Sequence, residues 1–200
     1  YLLDTAVWPT DNLEFPDLAI SQITAPESAL SGQTVHLNWT VGNYGLGTTY
    51  CGAWYDRIVF SQNDRYGDSD DVELGRVRYT GTLEENDEYT ASADVQLPKG
   101  LSGDYHLFVH TDADNRLFEY LLENNNVREA ASPISVTLTP YADLQADSVS
   151  SPSEVRTADP VTITWSASNQ GSGATGDGTP GGTVATWTDR IVFSRNTIFG

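Results

Sequence analysis

The sequence predicts an all-β protein built from immunoglobulin-like antiparallel β-sandwich repeats in tandem, with the second repeat incomplete. Three observations predict this fold. Apolar residues alternate with polar ones at a period of two, turn residues interrupt the alternation every ~8–14 positions, and one segment recurs further along the chain. No stretch of about 11 residues shows the periodicity of an amphipathic helix.

The clearest alternation lies in Val35, Leu37, Trp39 and Val41, which share one face of a predicted strand. Further alternating strands are predicted within residues 89–97, 105–109 and 134–138. The continuous apolar run 58–60 is typical of a strand that is buried on both faces. Seven or eight short antiparallel strands with polar turns favour a β-sandwich.

The centre of the predicted sandwich contains no disulfide, because Cys51 is the one cysteine in the sequence. Trp39 and Trp54 are predicted to supply the bulk that a disulfide supplies in antibody domains. Tyr105 opens a strand after Leu101–Asp104, in the position of a tyrosine corner.

An internal repeat defines the organisation of the chain. Residues 54–61 recur as residues 187–194 with seven of eight identical, at an offset of 187 − 54 = 133. Trp39 matches Trp165 at an offset of 165 − 39 = 126, so seven residues are inserted in the second copy, within the glycine-rich stretch 176–182. Such insertions are tolerated in exposed loops.

The repeat predicts three regions. Residues 1–15 are a lead-in or the tail of a preceding unit, residues 16–138 form a complete sandwich, and residues 141–200 form the first half of a second one. Pro140 marks the junction between the repeats, and the linker there is very short, which favours a rod-like array. The open strand edges of a half-sandwich lead to a further hypothesis of head-to-tail association into a filament.

The charge of the chain restricts its partners. The formal net charge is −18, which disfavours nucleic acid and anionic membranes as partners and favours divalent cations. Plain solubility is the alternative interpretation of this charge. No apolar run approaches the ~20 residues of a membrane-spanning helix, so membrane insertion is not expected in this segment.

Several short motifs together are similar to one known family. They are Asp17-Leu18, Ile23-Thr24-Ala25-Pro26, Ser31-Gly32-Gln33-Thr34-Val35, Asn43-x-Gly45-x-Gly47, Trp54-x-Asp56-Arg57, Leu101-Ser102-Gly103-Asp104-Tyr105, and Asp112 to Asn115 followed by Glu119 and Glu123 to Asn126. This set resembles the CARDB repeat, a cell-adhesion-related domain found in bacteria. The resemblance covers residues 16–138 and the first half of the second copy. It implies immunoglobulin-like sandwiches in tandem within large secreted or surface proteins, with a role in adhesion.

Two acidic loops are candidate calcium sites. One carries Asp68, Asp70 and Asp71, and the other carries Asp112 and Asp114. Calcium takes six to eight oxygen ligands, which loops rich in Asp and Asn can supply. The alternative is solvated turns, since Asp and Asn side chains also bind nearby backbone amides.

The second acidic loop is not an EF-hand, although Glu123 is twelfth from Asp112. Arg116 occupies the fifth position and Leu117 replaces the required glycine. The segment 116–120 is instead predicted to be a strand, so calcium would bind in a loop of the sandwich.

The repeated Asp56-Arg57 pair has two interpretations. Neighbouring residues of a strand face opposite sides, so the two side chains do not pair with each other. One interpretation is a ligand contact. The favoured one is structural, with a partly buried charge held by backbone amides or by a cross-strand partner.

The predicted function is that of an extracellular structural or adhesive repeat module of a bacterial surface or filament protein, rigidified by Ca²⁺ if the acidic loops bind it. Neighbouring repeats, copies of itself, and cell-surface glycans or proteins are the expected partners. The alternative is a glycan-binding module that uses exposed Tyr44, Tyr50, Trp54 and Tyr55. An enzyme is not expected, because the sequence contains no catalytic constellation or Gly-x-Ser-x-Gly elbow.

Overall fold

The computed structural model describes residues 14–196 of the chain. The chain divides into two compact units, Tyr1–Leu138 and Thr139–Gly200. Strands are joined by turns and irregular segments, and none of the described residues forms a helix. Accordingly, the described part of the chain contains no helix with the length and apolar character needed to cross a membrane.

The first unit is a β-sandwich, which confirms the predicted fold class. One sheet has the order β1-β3-β6, and its strands are β1 (Leu18–Thr24), β3 (Thr34–Asn43) and β6 (Glu88–Gln96). The other sheet has the order β2-β9-β7-β4-β5, and β8 also pairs with β7. Its strands are β2 (Ser28–Leu30), β4 (Ala53–Ser61), β5 (Val72–Thr80), β7 (Gly103–His110), β8 (Val127–Glu129) and β9 (Ile134–Thr137).

The core lies between the two sheets and contains both predicted tryptophans. Trp39 is 1% exposed and Trp54 is fully buried. The run 58–60 is buried throughout, as the sequence predicts, because Val59 on the outer face is covered as well. Tyr105 is buried and stacks on Phe60 at a ring distance of 4.8 Å. Aromatic bulk thus fills the space between the sheets.

The chain reaches and leaves the first unit at opposite ends. β1 begins at Leu18, which pairs with Asn43 at the end of β3. β9 ends at Thr137, whose carbonyl accepts a hydrogen bond from Ser31, just before β3 begins. The ten residues of β3 separate these ends by roughly 30 Å. We call the end with Leu18 and Asn43 the proximal pole, and the end with Ser31 and Thr137 the distal pole.

The structure departs from the predicted strands in two respects. There are nine strands in the described part of the first unit, and β2 pairs with β9 in parallel, so the sandwich is not entirely antiparallel. The segment 116–120 is irregular, so the predicted strand there is wrong. Its apolar residues resemble a strand in sequence, but they belong to a long loop between β7 and β8.

The second unit reproduces the first pairing of the sandwich. β10 (Leu144–Ser150) pairs with β11 (Thr164–Asn169), and Leu144 lies opposite Asn169 as Leu18 lies opposite Asn43. Both pairs contain a register shift at the matching position, after Ile20 in the first unit and after Ala146 in the second. Residues 187–194, which match β4, are not a strand.

Candidate functional site

The first acidic loop, residues 62–71, is organised around Asn63. The side-chain amide of Asn63 donates to Asp68 at 3.1 Å and to Asp70 at 2.9 Å. Asp70 also accepts hydrogen bonds from the backbone amide of Gln62 and the hydroxyl of Ser61. Its hydrogen bonding, above all with Asp68, lowers the pKa of Asp70. Asp68 and Asp70 therefore form a carboxylate pair at the surface.

Asp71 lies apart from that pair. One of its carboxylate oxygens accepts a hydrogen bond from the amide of Gly67 at 2.6 Å. Its other oxygen is buried and has no hydrogen-bond partner among the described residues. Gly67 has a φ of +94°, a conformation that glycine adopts readily. Asp71 thus holds the turn at Gly67.

The second acidic loop uses Asp112 to hold the backbone. Asp112 is 2% exposed, and its two carboxylate oxygens accept hydrogen bonds from the amides of Arg116 and Leu117. Burial raises the pKa of Asp112. Asp114 forms a salt bridge of 2.8 Å with Arg76, which also binds Glu73. Both aspartates already have partners within the protein.

The structure does not bring the two acidic loops together into one site. The first loop follows the end of β4 and the second follows the end of the antiparallel strand β7, so they leave opposite ends of this strand pair. Residues 14–196 contain no group of three or more Asp, Glu, His or Cys side chains that could hold a metal ion. Asp68 and Asp70 supply fewer oxygens than calcium takes, so backbone carbonyls and water would have to complete a site there. Calcium binding stays a prediction.

The first acidic loop is held against the sheet by Tyr66. Its hydroxyl contacts Nδ1 of His110 at 2.8 Å and the guanidinium of Arg57, which also lies over its ring. The ring of Tyr66 packs on Phe108 at 5.8 Å. His110 is therefore partly covered, and burial, followed by the charge of Arg57, lowers its pKa to about 4.

Asp56 lies between the two sheets and connects them. It belongs to β4 and is fully buried, and it accepts a 2.7 Å hydrogen bond from the indole of Trp39 in β3. The hydroxyl of Tyr89 in β6 lies within 2.9 Å of both carboxylate oxygens and also accepts from the indole of Trp54. Burial raises the pKa of Asp56. These contacts support the structural interpretation, with partners from the opposite sheet rather than from a neighbouring strand.

A second buried carboxylate anchors the proximal pole. Glu119 is fully buried and accepts hydrogen bonds from the amide of Leu18 and the side chain of Asn126, both at 2.5 Å. Burial raises the pKa of Glu119 to about 7. The amide oxygen of Asn126 is buried without a hydrogen-bond partner among the described residues. Glu119 thus joins the start of β1 to the loop between β7 and β8.

Asn43 closes the loop next to this anchor. Its side-chain oxygen accepts from the amides of Asp17 and Gly45, and its side-chain nitrogen donates to the carbonyl of Gly47 at 2.8 Å. A Cβ atom on Gly47 would lie 2.2 Å from the carbonyl oxygen of Glu14, so a glycine is required there.

The second unit repeats the loop closure by asparagine and the hydrogen bond between tryptophan and aspartate. Asn169 accepts from the amides of Asp143 and Gly171 and donates to the carbonyl of Gly173. The indole of Trp165 donates to Asp189 at 2.9 Å, as Trp39 donates to Asp56. Trp165 is nevertheless 47% exposed. It lies on an open apolar groove lined by residues such as Leu144, Ile163, Trp187 and Ile191.

The proximal pole of the first unit also has an exposed aromatic and aliphatic surface. Phe15 stacks on Tyr120 at 5.2 Å and meets Phe118 edge-on at 5.5 Å. Tyr120 has a φ of +61°, a strained backbone conformation for a residue other than glycine. The exposed members of the surface are Tyr44, Leu46, Tyr50, Phe118, Tyr120, Leu121 and Leu122.

The structure changes which residues can belong to the predicted glycan-binding surface. Tyr44 and Tyr50 are exposed as predicted, at 44% and 63%. Trp54 is buried in the core, so it is not available to a sugar, and Tyr55 is only partly exposed. Phe118 and Tyr120 were missed because their segment was assigned to a strand.

Sequence reasoning also missed the roles of Tyr89 and Glu119. The signal for Glu119 was present, since it is a single acidic residue within the apolar stretch 117–122. An acidic residue in such a stretch is either exposed or buried with donors. Tyr89 gave no signal beyond its place in an alternating strand, because the sequence does not show which side chains meet across the sandwich.

Together, the two sheets, the buried carboxylate between them and the loop anchors define an immunoglobulin-like β-sandwich module. The chain belongs to the CARDB family, whose model matches residues 15–130. No curated protein matches the chain.

Solved structures with similar folds include two of a CARDB domain from Pyrococcus furiosus. One was solved in complex with di-metal ions and is 21% identical, with a TM-score of 0.47, covering 62% of this chain and 96% of that one. The other is a solution structure, 22% identical, with a TM-score of 0.45, covering 62% of this chain and 97% of that one. A β-glucosidase from Listeria innocua, in complex with glucose, is 14% identical with a TM-score of 0.36, covering 62% of this chain and 16% of that one.

Proposed function

We propose that this chain is an extracellular structural or adhesive module of a bacterial surface protein, that it is not an enzyme, and that its sandwiches act as spacers. The observation that carries the proposal is the placement of the two poles. Because the chain reaches β1 at one pole and leaves β9 at the other, each module adds the length of a strand to an array. The family supports a surface or adhesion-related role.

The proposal extends to a tandem arrangement. The same strand pairing, the same register shift, the same asparagine and the same tryptophan–aspartate contact occur in both units. Four matching features of this kind support a repeated structural unit rather than a short shared motif. A filament would arise if the open groove of the second unit were covered by another copy.

The test of the adhesive role uses the whole chain on a solid support. Beads coated with the chain are expected to bind a bacterial or host-cell surface, or beads that carry the chain itself, and binding should be saturable. Beads coated with the chain after heat denaturation are the control. Equal binding by both preparations would contradict the adhesive role, and single-particle length measurements on the same chain would test the spacer role separately.

We also propose that calcium binds the chain, with a smaller set of candidate ligands than the sequence predicts. Asp68 and Asp70 are the best candidates, because they face each other across Asn63 at the surface. Asp112 is less suited, since both of its oxygens are occupied by backbone amides. We expect calcium to raise the melting temperature of the wild type but not of a D68N/D70N variant. Asp94→Asn, at an exposed site in β6, is the matched control, and an unchanged melting temperature in all three proteins would exclude calcium.

Glycan binding is the second candidate function, favoured by the exposed aromatic surface at the proximal pole. Flat aromatic faces with hydroxyl groups nearby suit the apolar faces of sugar rings. Tyr50→Ala and Tyr120→Ala should then weaken binding on a neutral glycan array, whereas Tyr55→Ala should have a smaller effect. If the wild type binds no glycan on the array, this candidate is excluded.

A further inference from the structure

In the larger sheet of the first unit, the first strand in chain order is β2 and the last is β9. These two strands are neighbours and run in parallel. Ser28 pairs with Ser135 and Leu30 pairs with Thr137. Two hydrogen bonds flank this ladder, from the amide of Ser135 to the carbonyl of Glu27 at 2.9 Å and from the amide of Ser31 to the carbonyl of Thr137 at 2.8 Å. An early segment of the module is therefore hydrogen-bonded to the last strand, close to the point where the chain leaves the module.

The direction of the two strands determines how tension would act on them. Tension along the chain pulls β1, which is paired with β3 and leads into β2, towards the proximal pole, and it pulls the segment after β9 towards the distal pole. Because β2 and β9 are parallel and both run towards the distal pole, these pulls slide the strands past each other along their length. All hydrogen bonds of the ladder are then loaded together, rather than one after another as in unzipping.

Side-chain packing supports the same load path. Ala29 and Val136, which lie opposite each other in the ladder, are both buried in the core. β9 is also paired with β7 on its other edge, from Gly103 to Tyr105. Sliding β2 along β9 would therefore break backbone hydrogen bonds and expose core side chains in one step.

We propose that the β2–β9 pair is a mechanical clamp that resists tension applied through the two ends of the module. This proposal rests on the spacer function proposed above, in that it assigns the module a load to bear. It also concerns a separate property, because a module can act as a spacer without resisting force.

The first arm of the test uses the wild-type fold with two pulling geometries. After Cys51→Ser, cysteine handles at residues 14 and 138 load both the β1–β3 pairing and the β2–β9 ladder in shear, and handles at residues 34 and 138 pull β2 and β9 apart from the distal pole. Glu14, Thr34 and Leu138 are exposed, so the handles do not disturb the core. We expect a clearly higher unfolding force with handles at 14 and 138. Equal forces in the two geometries would overturn the clamp.

The second arm removes a single hydrogen bond of the clamp. Ser135→Pro deletes the amide that donates to Glu27, and Thr80→Pro at the end of the edge strand β5 is the matched control. Ser135→Pro is expected to increase the unfolding rate under shear roughly 10-fold relative to its effect in the 34–138 geometry. An equal increase in both geometries would contradict the proposal, whatever the effect on overall stability.

The unfolding event itself identifies the element that broke. Residues 18–137 span 120 positions and extend to ~430 Å at roughly 3.6 Å per residue, so release of the whole sandwich adds roughly 400 Å once the distance between the folded poles is subtracted. A step of that size in the shear geometry is expected. Failure of the adhesion assay with the force difference intact would remove the proposed adhesive function alone, whereas equal forces with adhesion intact would remove the clamp alone.

Discussion

The indole nitrogen of Trp39 lies 2.7 Å from a carboxylate oxygen of Asp56, and this hydrogen bond crosses the core from one sheet to the other. The hydroxyl of Tyr89 lies within 2.9 Å of both oxygens of the same carboxylate. A buried carboxylate is costly unless donors surround it, and two aromatic side chains here supply those donors. The sandwich is thus connected through its centre by polar contacts as well as by apolar packing.

The first prediction concerns this contact. Asp56→Ala should lower the free energy of unfolding by about 3–5 kcal/mol, because it leaves the Trp39 indole and the Tyr89 hydroxyl buried without an acceptor. Tyr89→Phe removes one donor and should cost about 1–2 kcal/mol. Urea unfolding followed by tryptophan fluorescence measures both. Asp94→Asn, an exposed position, is the control and should stay within about 0.5 kcal/mol of the wild type.

The second prediction concerns Glu119 and pH. Its pKa in the folded protein is about 7, above the ordinary value of 4.5, so its contribution favours folding below pH 4.5 and is lost as the pH rises through 7. Glu119→Gln can accept from the amide of Leu18, and it can donate to Asn126 once rotation of the Asn126 amide exchanges its nitrogen for its unpartnered oxygen, so the variant should keep the fold. The variant should be more stable than the wild type at pH 8 by about 2 kcal/mol. A variant less stable than the wild type at pH 8 would contradict this account of the anchor.

The third prediction concerns His110, whose contribution to stability changes with pH in the opposite direction to that of Glu119. Its pKa falls from 6.5 to about 4 in the folded protein, so its contribution is present above pH 6.5 and is lost as the pH falls towards 4. His110→Gln should therefore reduce the loss of stability between these pH values, by about 1–2 kcal/mol relative to the wild type. Urea unfolding at pH 4 and pH 7 measures the difference. His36→Gln, at an exposed histidine that contacts Asp94 outside the core, is the comparison variant.

The fourth prediction compares the two asparagines in matching positions. Asn43→Ala leaves the amides of Asp17 and Gly45 without their acceptor and should destabilise the first unit by about 2–4 kcal/mol. Asn169→Ala removes the same contacts from the second unit and should leave the main unfolding transition unchanged. Differential scanning calorimetry distinguishes the two variants. Identical shifts in both would contradict the division of the chain into separate units.

The strands were predictable because alternation along a strand depends on local sequence. Trp39 and its alternating neighbours were placed correctly, since apolar residues at every second position bury one face of a sheet. The loop between β7 and β8 was not predicted, because the apolar residues 117–122 resemble a strand in sequence. Only the structure shows that Leu117 enters the core while Phe118 and Leu121 face the solvent.

The contacts of the candidate sites were less predictable, because they join residues distant in sequence. Asp56 was expected to be held structurally, but its partners come from β3 and β6 in the opposite sheet. Asp112 was expected to be a loop ligand or a turn residue, and its backbone hydrogen bonds favour the second interpretation. Alternation predicts which side of a strand a residue faces, but it does not predict the residue across the core.

The spacer function and the clamp both require the two poles of the first unit to lie far apart. Spin labels at residues 14 and 138 of a Cys51→Ser variant measure this separation by pulsed electron paramagnetic resonance. We predict a single narrow distribution centred at roughly 30 Å or more, the length of a ten-residue strand. A distance below about 20 Å would place both ends of the module at one pole and would contradict the spacer function and the clamp together.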